Sequence, residues 1–253
     1  VGLVGGMGPV AGAEFGRRLS RVLQSEAGGF EDVKLLMLSD PTTEQWKEHT
    51  SDIPASTQAT LQILSFLSKP YLRHSCVASN TFHLITAASG PPKPLLSIFD
   101  ACADGLVEAH PGKKVALLCT TPSMQWADSY GYGSKFAGHK GHRIEWVRPT
   151  DEIQGKTMRG ITLVKNPAGN VKESQEKAGE LFMDVVRWYA DQGATVMALC
   201  CTEIPLALTQ ARVDDDPHLK EKGVKLLDSV DALVGYLHSA LVNRTSVYPL
   251  VAE

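Results

Sequence analysis

The stretch Ala198-Leu199-Cys200-Cys201-Thr202-Glu203-Ile204-Pro205 restricts the fold more than any other part of the chain. The largely apolar run from Thr195 to Cys200 reads as a buried parallel strand, because a strand covered on both faces has no polar side to alternate with. Ile204 to Leu208 reads as the helix that follows, so Cys201, Thr202 and Glu203 fall on the turn between them. That carboxyl end of a strand is where open α/β sheets carry their chemistry. A second junction of the same kind lies in the first half: Ser75-Cys76-Val77-Ala78 is apolar, Ser79-Asn80-Thr81 turns, and Phe82-His83-Leu84-Ile85 begins a helix. Ser79 then occupies the position of Cys201, about half a chain length earlier. Two nucleophile-type side chains at equivalent turns of two similar halves point to a two-sided site, with one group on each face of a bound substrate.

The remaining elements fit two α/β halves. Val1 to Gly5 reads as a short strand, Gly6-Met7-Gly8-Pro9 as a turn, and Val10 to Leu23 as a helix whose first turn accommodates Pro9. Such a turn presents backbone N–H groups at a helix N-terminus, suited to a carboxylate or phosphate. Gly6 to Ala11 also satisfies a loose GxGxxA dinucleotide pattern, but the acidic residue that should close the second strand is missing, since Asp40 comes too late. Val33 to Ser39 reads as the second strand, Asp40 to Ser51 as a polar loop with Lys47, Ser56 to Leu67 as an amphipathic helix, and Leu95 to Ile98 as a further strand. The second half restarts with the strand Lys114 to Cys119 and a helix capped by Thr121 with Pro122 behind it. Tyr130 to Gly133 and His139 to His142 read as loop, and the HxxH spacing lacks a third metal ligand nearby. Arg143 to Val147 is read as strand, Asp151 to Val164 and Ser174 to Gln192 as helices, the latter closed by Gly193, and Leu226-Leu227 as a last strand before a helix from Asp228-Ser229 to Leu241. The expected architecture is two pseudo-symmetric Rossmann-like domains, residues 1–99 with 210–253 and residues 100–209, with the active site in the cleft between them.

Composition narrows the function. The net charge of −3 and the absence of any Lys/Arg run argue against nucleic acid, and no apolar run approaches the ~18 residues of a membrane span. The five cysteines, Cys76, Cys102, Cys119, Cys200 and Cys201, are odd in number and lack CxxC spacing, which argues against a disulfide framework or a zinc knuckle and fits a reducing cytoplasm. The chain starts at Val1 within a strand, so a lost initiator Met is expected, and any cleaved signal would be invisible.

Three motifs, in order along the chain, resemble the PLP-independent aspartate/glutamate racemases: Gly5-Gly6-Met7-Gly8-Pro9, Ser79-Asn80-Thr81-Phe82-His83 and Cys200-Cys201-Thr202-Glu203. The resemblance implies an isomerase without cofactor or metal, acting on a small-molecule amino acid, as a homodimer with no nucleic-acid or membrane partner. It implies Cys201 and residue 79 as the catalytic pair, Met7, Asn80, Thr81, Thr202 and Lys165 as substrate-binding residues, and Glu203 and His83 as groups that orient each nucleophile or shuttle its proton. Ser79 departs from the pattern, which has cysteine there. Some members carry a hydroxyl residue at this position and favour the L-enantiomer, and the α-proton of the D-substrate faces it.

Racemisation without a cofactor needs an acid on one face of Cα and a base on the other. The residue types suit that chemistry if the Cys201 thiol, ordinarily near a pKa of about 8.5, is lowered by a helix N-terminus or a cation. Cys200, on the strand itself, should point into the core. Ser79 is far less acidic, and three explanations stand: a natural variant biased to one enantiomer, an engineered replacement, or one-cysteine chemistry such as decarboxylation or cis–trans isomerisation. Taken from the residues alone, Asn80, Thr81 and Thr202 also suit turns that satisfy their own backbone, Lys165 a surface lysine and His83 a helix-face histidine. The rival to a racemase is a catalytically silent amino-acid-binding homologue, with a dehydrogenase a distant third.

Overall fold

The structure, a computed structural model, describes residues 1–5, 9–24, 35–38, 63, 65–89, 95–167 and 169–242. Met7, Lys47 and the expected helix at 56–67, apart from a few of its residues, lie outside that set. The chain divides into two compact units, Val1–Ala101 with Val230–Glu253, and Cys102–Ser229.

In the first unit, β1 (Gly2–Val4) is the centre of a parallel sheet, flanked by β2 (Leu36–Leu38) and β3 (Ser75–Val77). Val4 and Val77 pair at its carboxyl edge, and Ala78 N–H extends the ladder by donating to Val4 O at 2.9 Å. Helix α1 (Pro9–Gln24) buries Phe15, Leu19 and Leu23, spaced four apart on one stripe. Its opposite face carries Arg17 and Arg18 bonded to Glu14, and Arg18 also meets Asp231 at 2.8 Å. A glycine in this helix serves the packing: a Cβ on Gly12 would lie 2.4 Å from Gly5 Cα. Close approach of the helix to the strand end is the reason for glycine there.

Helix α2 (Asn80–Ser89) follows β3, and α3 (Ile98–Ala109) comes next. The strand expected at Leu95 to Ile98 is reduced to one bridge between Leu95 and Ser75. Ser97 ends it, because its Oγ accepts from Asp100 N–H at 3.2 Å and so starts a helix.

The second unit is a four-stranded parallel sheet in the order β5 (Trp146–Val147), β4 (Val115–Cys119), β6 (Val196–Cys200), β7 (Lys225–Asp228). Every residue of β4 and β6 is buried, as their unbroken apolar sequences require. Because β7 pairs with β6, residues 210–229 belong to this unit, whereas the sequence reading returned the chain to the first unit at 210. Helices α4 (Thr121–Gln125), α5 (Tyr132–Phe136), α6 (Asp151–Lys165), α7 (Val171–Asp191), α8 (Gln210–Asp214) and α9 (Pro217–Glu221) complete it, and α10 (Ser229–Val242) returns to the first unit. Helix α7 packs Ala178, Phe182, Val185, Val186 and Tyr189 into the core.

Several local expectations change. Thr120, not Thr121, caps α4, its Oγ1 accepting from Ser123 N–H. Asn170 starts α7 three residues before Ser174, its side chain accepting from Lys172 N–H and Glu173 N–H, while Gly193 ends it at φ 84°. Tyr132 lies not in a loop but in α5, almost fully buried, with its hydroxyl 3.7 Å from Cys102 Sγ. His139 is bound through Nε2 to Asp104 at 2.7 Å, beside Lys140 on the same carboxylate. Among the described residues no three His, Cys, Asp or Glu side chains gather to hold a metal ion, and no helix is long and apolar enough to cross a membrane.

Two predictions follow from this packing. Gly12→Ala should lower stability by roughly 1–3 kcal/mol through overpacking, read by urea denaturation. Burial pushes the Cys76 and Cys119 thiols up to about 12. Unfolded thiols titrate near 8.5, so between about pH 8.5 and 12 the unfolded chain releases protons that the folded chain keeps. The contribution of these thiols should therefore be constant below about pH 8 and fall above it, by about 1.4 kcal/mol per pH unit for each. Urea midpoints measured from pH 7 to 10.5 should show this fall, with a shallower slope in Cys119→Ala; an unchanged slope in that variant would contradict the assignment.

Candidate active site

The turn after β6 is set by the β4–β6 ladder, whose last pair is Cys119 with Cys200. Cys200 lies in the core, with its thiol raised by burial and by the neighbouring Cys102, as strand alternation predicts for the residue beside an edge group. Cys201 is the first residue beyond the strand and is 6% exposed. Its thiol donates to Glu203 Oε2 at 3.0 Å, and Thr202 Oγ1 donates to the same oxygen at 3.1 Å. The other oxygen, Oε1, lies 3.6 Å from Lys165 Nζ, which arrives from the last turn of α6. Cys201, Thr202, Glu203 and Lys165 are thus brought together around one carboxylate.

The electrostatics differ from the expectation of a lowered thiol. Cys201 is pushed well above the ordinary range, first by burial and then by the negative Glu203 carboxylate, with Lys165 and the Glu203 backbone N–H acting in the opposite direction. The following helix is only a three-residue 3₁₀ turn, Ile204–Leu206, instead of the helix read from Ile204 to Leu208, so the turn contributes one N–H rather than a full helix terminus. In this form Cys201 is a thiol raised above its ordinary range that donates to the Glu203 carboxylate.

The same sheet edge carries groups that the sequence reading did not select. Gln154, from the first turn of α6, donates through Nε2 to Cys119 O at 3.0 Å and to Thr121 Oγ1 at 3.3 Å, and Thr120 Oγ1 donates to Ser123 Oγ at 3.0 Å. A lone glutamine in an amphipathic helix gives no sequence signal; the Thr-Thr-Pro-Ser run after a strand could have been weighed as more than a cap.

In the first unit, Ser79 stands two residues beyond β3 and is 7% exposed. Its Oγ accepts from Phe82 N–H at 3.2 Å, so it caps α2 in the usual manner of a serine. Asn80 and Thr81 form the first helical residues, Asn80 buried and Thr81 partly so. His83, one turn on, lies with Nδ1 2.8 Å from Ser79 O and Nε2 3.2 Å from Leu96 O, edge-on to Phe99. Burial lowers its pKa, favouring the neutral ring, while the two carbonyls pull the other way. His83 thereby ties the backbone of the Ser79 turn to the segment ahead of α3.

The comparisons agree with this architecture. Solved structures of like fold include a Yersinia pestis protein assigned provisionally to the Asp/Glu racemases (22% identity, covering 95% of this chain and 98% of that one, TM-score 0.71), the Picrophilus torridus aspartate racemase (23%, 95% and 93%, 0.68) and an aspartate racemase homologue from Pyrococcus horikoshii (22%, 95% and 98%, 0.67). The sequence itself matches the Asp/Glu/Hydantoin racemase family over residues 4–237, which takes in both turns and nearly all of the described elements, and the chain belongs to that family.

Proposed function

We propose that the protein is a cofactor-independent racemase or epimerase of acidic amino acids, aspartate or glutamate, with Cys201 and Ser79 serving opposite faces of the substrate Cα. The observation that carries the reading is the Cys201 thiol donating to a buried carboxylate at the carboxyl end of a parallel strand, in a chain of this family. A neutral thiol is not a base, but passing its proton to Glu203 makes one. The thiolate so formed takes the α-proton, and the carbanion is reprotonated either from Cys201, which exchanges the proton, or from the other face, which inverts the centre. Ser79 Oγ accepts from Phe82 N–H, so its own proton is oriented away from that bond and can serve as a donor. Met7, Asn80, Thr81 and Thr202 are assigned to the substrate's α-carboxylate and amine. A second carboxylate of the substrate is assigned to Lys165, whose Nζ lies 3.6 Å from Glu203 Oε1.

One observation favours a second reading, an amino-acid-binding homologue without turnover: the Ser79 hydroxyl has a sufficient structural task as a helix cap. Incubation of L- and D-aspartate and glutamate with the protein in D₂O, followed by NMR of the α-proton, separates the two. Racemisation gives exchange with inversion, a one-base remnant gives exchange without it, and binding without exchange supports the second reading.

Cys201→Ala should abolish α-proton exchange while leaving the fold intact, and Cys200→Ala should instead lower stability, by roughly 1–3 kcal/mol for a buried side chain, with exchange retained. The reverse pattern would exchange the roles of the two thiols. Ser79→Cys should raise interconversion, chiefly for the D-enantiomer, by about 10²–10⁴ if a matched general base is restored. A folded Ser79→Cys protein that binds acidic amino acids with unchanged D-exchange would rule out the two-base arrangement.

A further inference from the structure

We infer that the cavity at the amino end of β4 is a binding site for a small anion of the phosphate class, separate from the turn that carries Cys201. The cavity, of about 250 Å³, lies between the end of α3, the turn His110-Pro111-Gly112-Lys113 and the segment 142–145 that leads into β5. Strand β4 runs from Val115, in the cavity lining, to Cys119, which pairs with Cys200, so the two places stand a strand length apart, roughly 13 Å. Leu106 and Val115 give the lining an almost fully buried apolar part. The basic side chains in it are His110, Lys113, His142 and Arg143. Glu145, also in the lining, is paired with Lys114 at 2.9 Å. Among the described residues no carboxylate pairs with Lys113 or Arg143, so the cavity carries an uncompensated positive charge.

The frame of the cavity is held in place before any ligand arrives. Lys140 at φ 49° and Gly141 at φ 82° make a tight turn, and His142 N–H donates back to His139 O at 2.8 Å. Asp104 of α3 holds that turn through His139 Nε2 at 2.7 Å and Lys140 Nζ at 2.5 Å. Beyond it, Ile144 N–H donates to Phe136 O and Val115 N–H to Glu145 O, each at 2.9 Å, so Arg143 stands on a segment tied on both sides. Lys113 is set by its own N–H donating to His110 O at 3.2 Å, with Gly112 at φ 70° between them. Burial first, then the charges of Lys113 and Lys225, lower the His110 pKa, and an anion in the cavity would relieve that repulsion. A guanidinium fork takes two oxygens of an oxyanion, which leaves a carboxylate with none for the ammonium and the rings. A tetrahedral phosphate has oxygens for all of them.

The test uses the folded chain and inorganic phosphate, followed by calorimetry and by the ring-proton NMR signal of His110, which is identified by its loss in His110→Gln. Phosphate should saturate a single site with a Kd below about 1 mM at low salt, and pyrophosphate should bind more tightly. Bound phosphate should raise the His110 titration midpoint by about one unit, since an anion favours the imidazolium. Lys113→Gln and Arg143→Gln should each weaken binding about tenfold, while Lys172→Gln, in the first turn of α7, should leave it unchanged. Lys113 and Arg143 are exposed, so these variants should fold, which unchanged urea midpoints verify. A His110 shift that never saturates, or that chloride reproduces at matched ionic strength, would mean screening of a basic surface only and would overturn the inference. Full affinity in both Lys113→Gln and Arg143→Gln would put the anion elsewhere and overturn it too. Displacement of phosphate from His110 by aspartate would make this a second carboxylate site and refute the phosphate assignment. None of these readings depends on turnover at Cys201.

Discussion

The parallel pairing of β4 with β6 is the constraint on which the second unit depends. Five consecutive residue pairs, from Val115 with Val196 to Cys119 with Cys200, lie in one register and are buried on both faces. A slip by one residue would move the Cys200 side chain to the other face of the sheet, because successive strand side chains point to opposite faces. The register therefore fixes which face of the sheet each of the two adjacent thiols takes. It also decides where Glu203 lands, since the tight turn Cys201-Thr202-Glu203 leaves the carboxylate no farther from the sulfur than a hydrogen bond.

That closeness creates a conflict which the site has to resolve. Burial and the carboxylate both raise the Cys201 thiol and favour its protonated form, whereas an exposed thiol free of Glu203 would ionise more readily by giving its proton to water. A buried thiol with an adjacent proton acceptor is a base only on demand. Lys165 and the Glu203 N–H lean the balance toward ionisation, and a bound zwitterion brings a further positive charge in its ammonium group.

Much of this was legible in the sequence because the relevant signals are local. Apolar runs followed by short polar turns identify the carboxyl ends of β3 and β6, and the Ser79 and Cys201 turns stand there. The signals that failed are those where one side-chain bond redirects the backbone. Ser97 capping α3 cuts the apolar Leu-Leu-Ser-Ile run to a single bridge at Leu95 and starts the helix at Ile98, and Asn170 moves the start of α7 from Ser174 to Val171. The apolar body of Tyr132 outweighs its glycine neighbours, so a stretch that reads as loop becomes a buried helix. The raised Cys201 thiol was not legible at all, because it depends on how deeply the turn is buried and on a 3₁₀ helix too short to present a full terminus.

The hydroxyl at position 79 gains a physical meaning from the cap it makes. Helix α2 has no acidic residue in its first turn, so its exposed N–H groups depend on the residue that precedes it. Serine is among the best residues for that position and accepts from Phe82 N–H here, and replacing such a cap by a non-capping residue costs about 1 kcal/mol. Sulfur is a weaker acceptor, so a cysteine at the same place would be a better acid and base but a poorer cap. In the second unit the corresponding turn enters a three-residue 3₁₀ helix, where Cys201 bonds to Glu203 and no long helix waits to be capped. The two turns therefore place different demands on their nucleophile position. A thiol suits the one that offers a proton acceptor and no helix, and a hydroxyl suits the one that must begin a ten-residue helix.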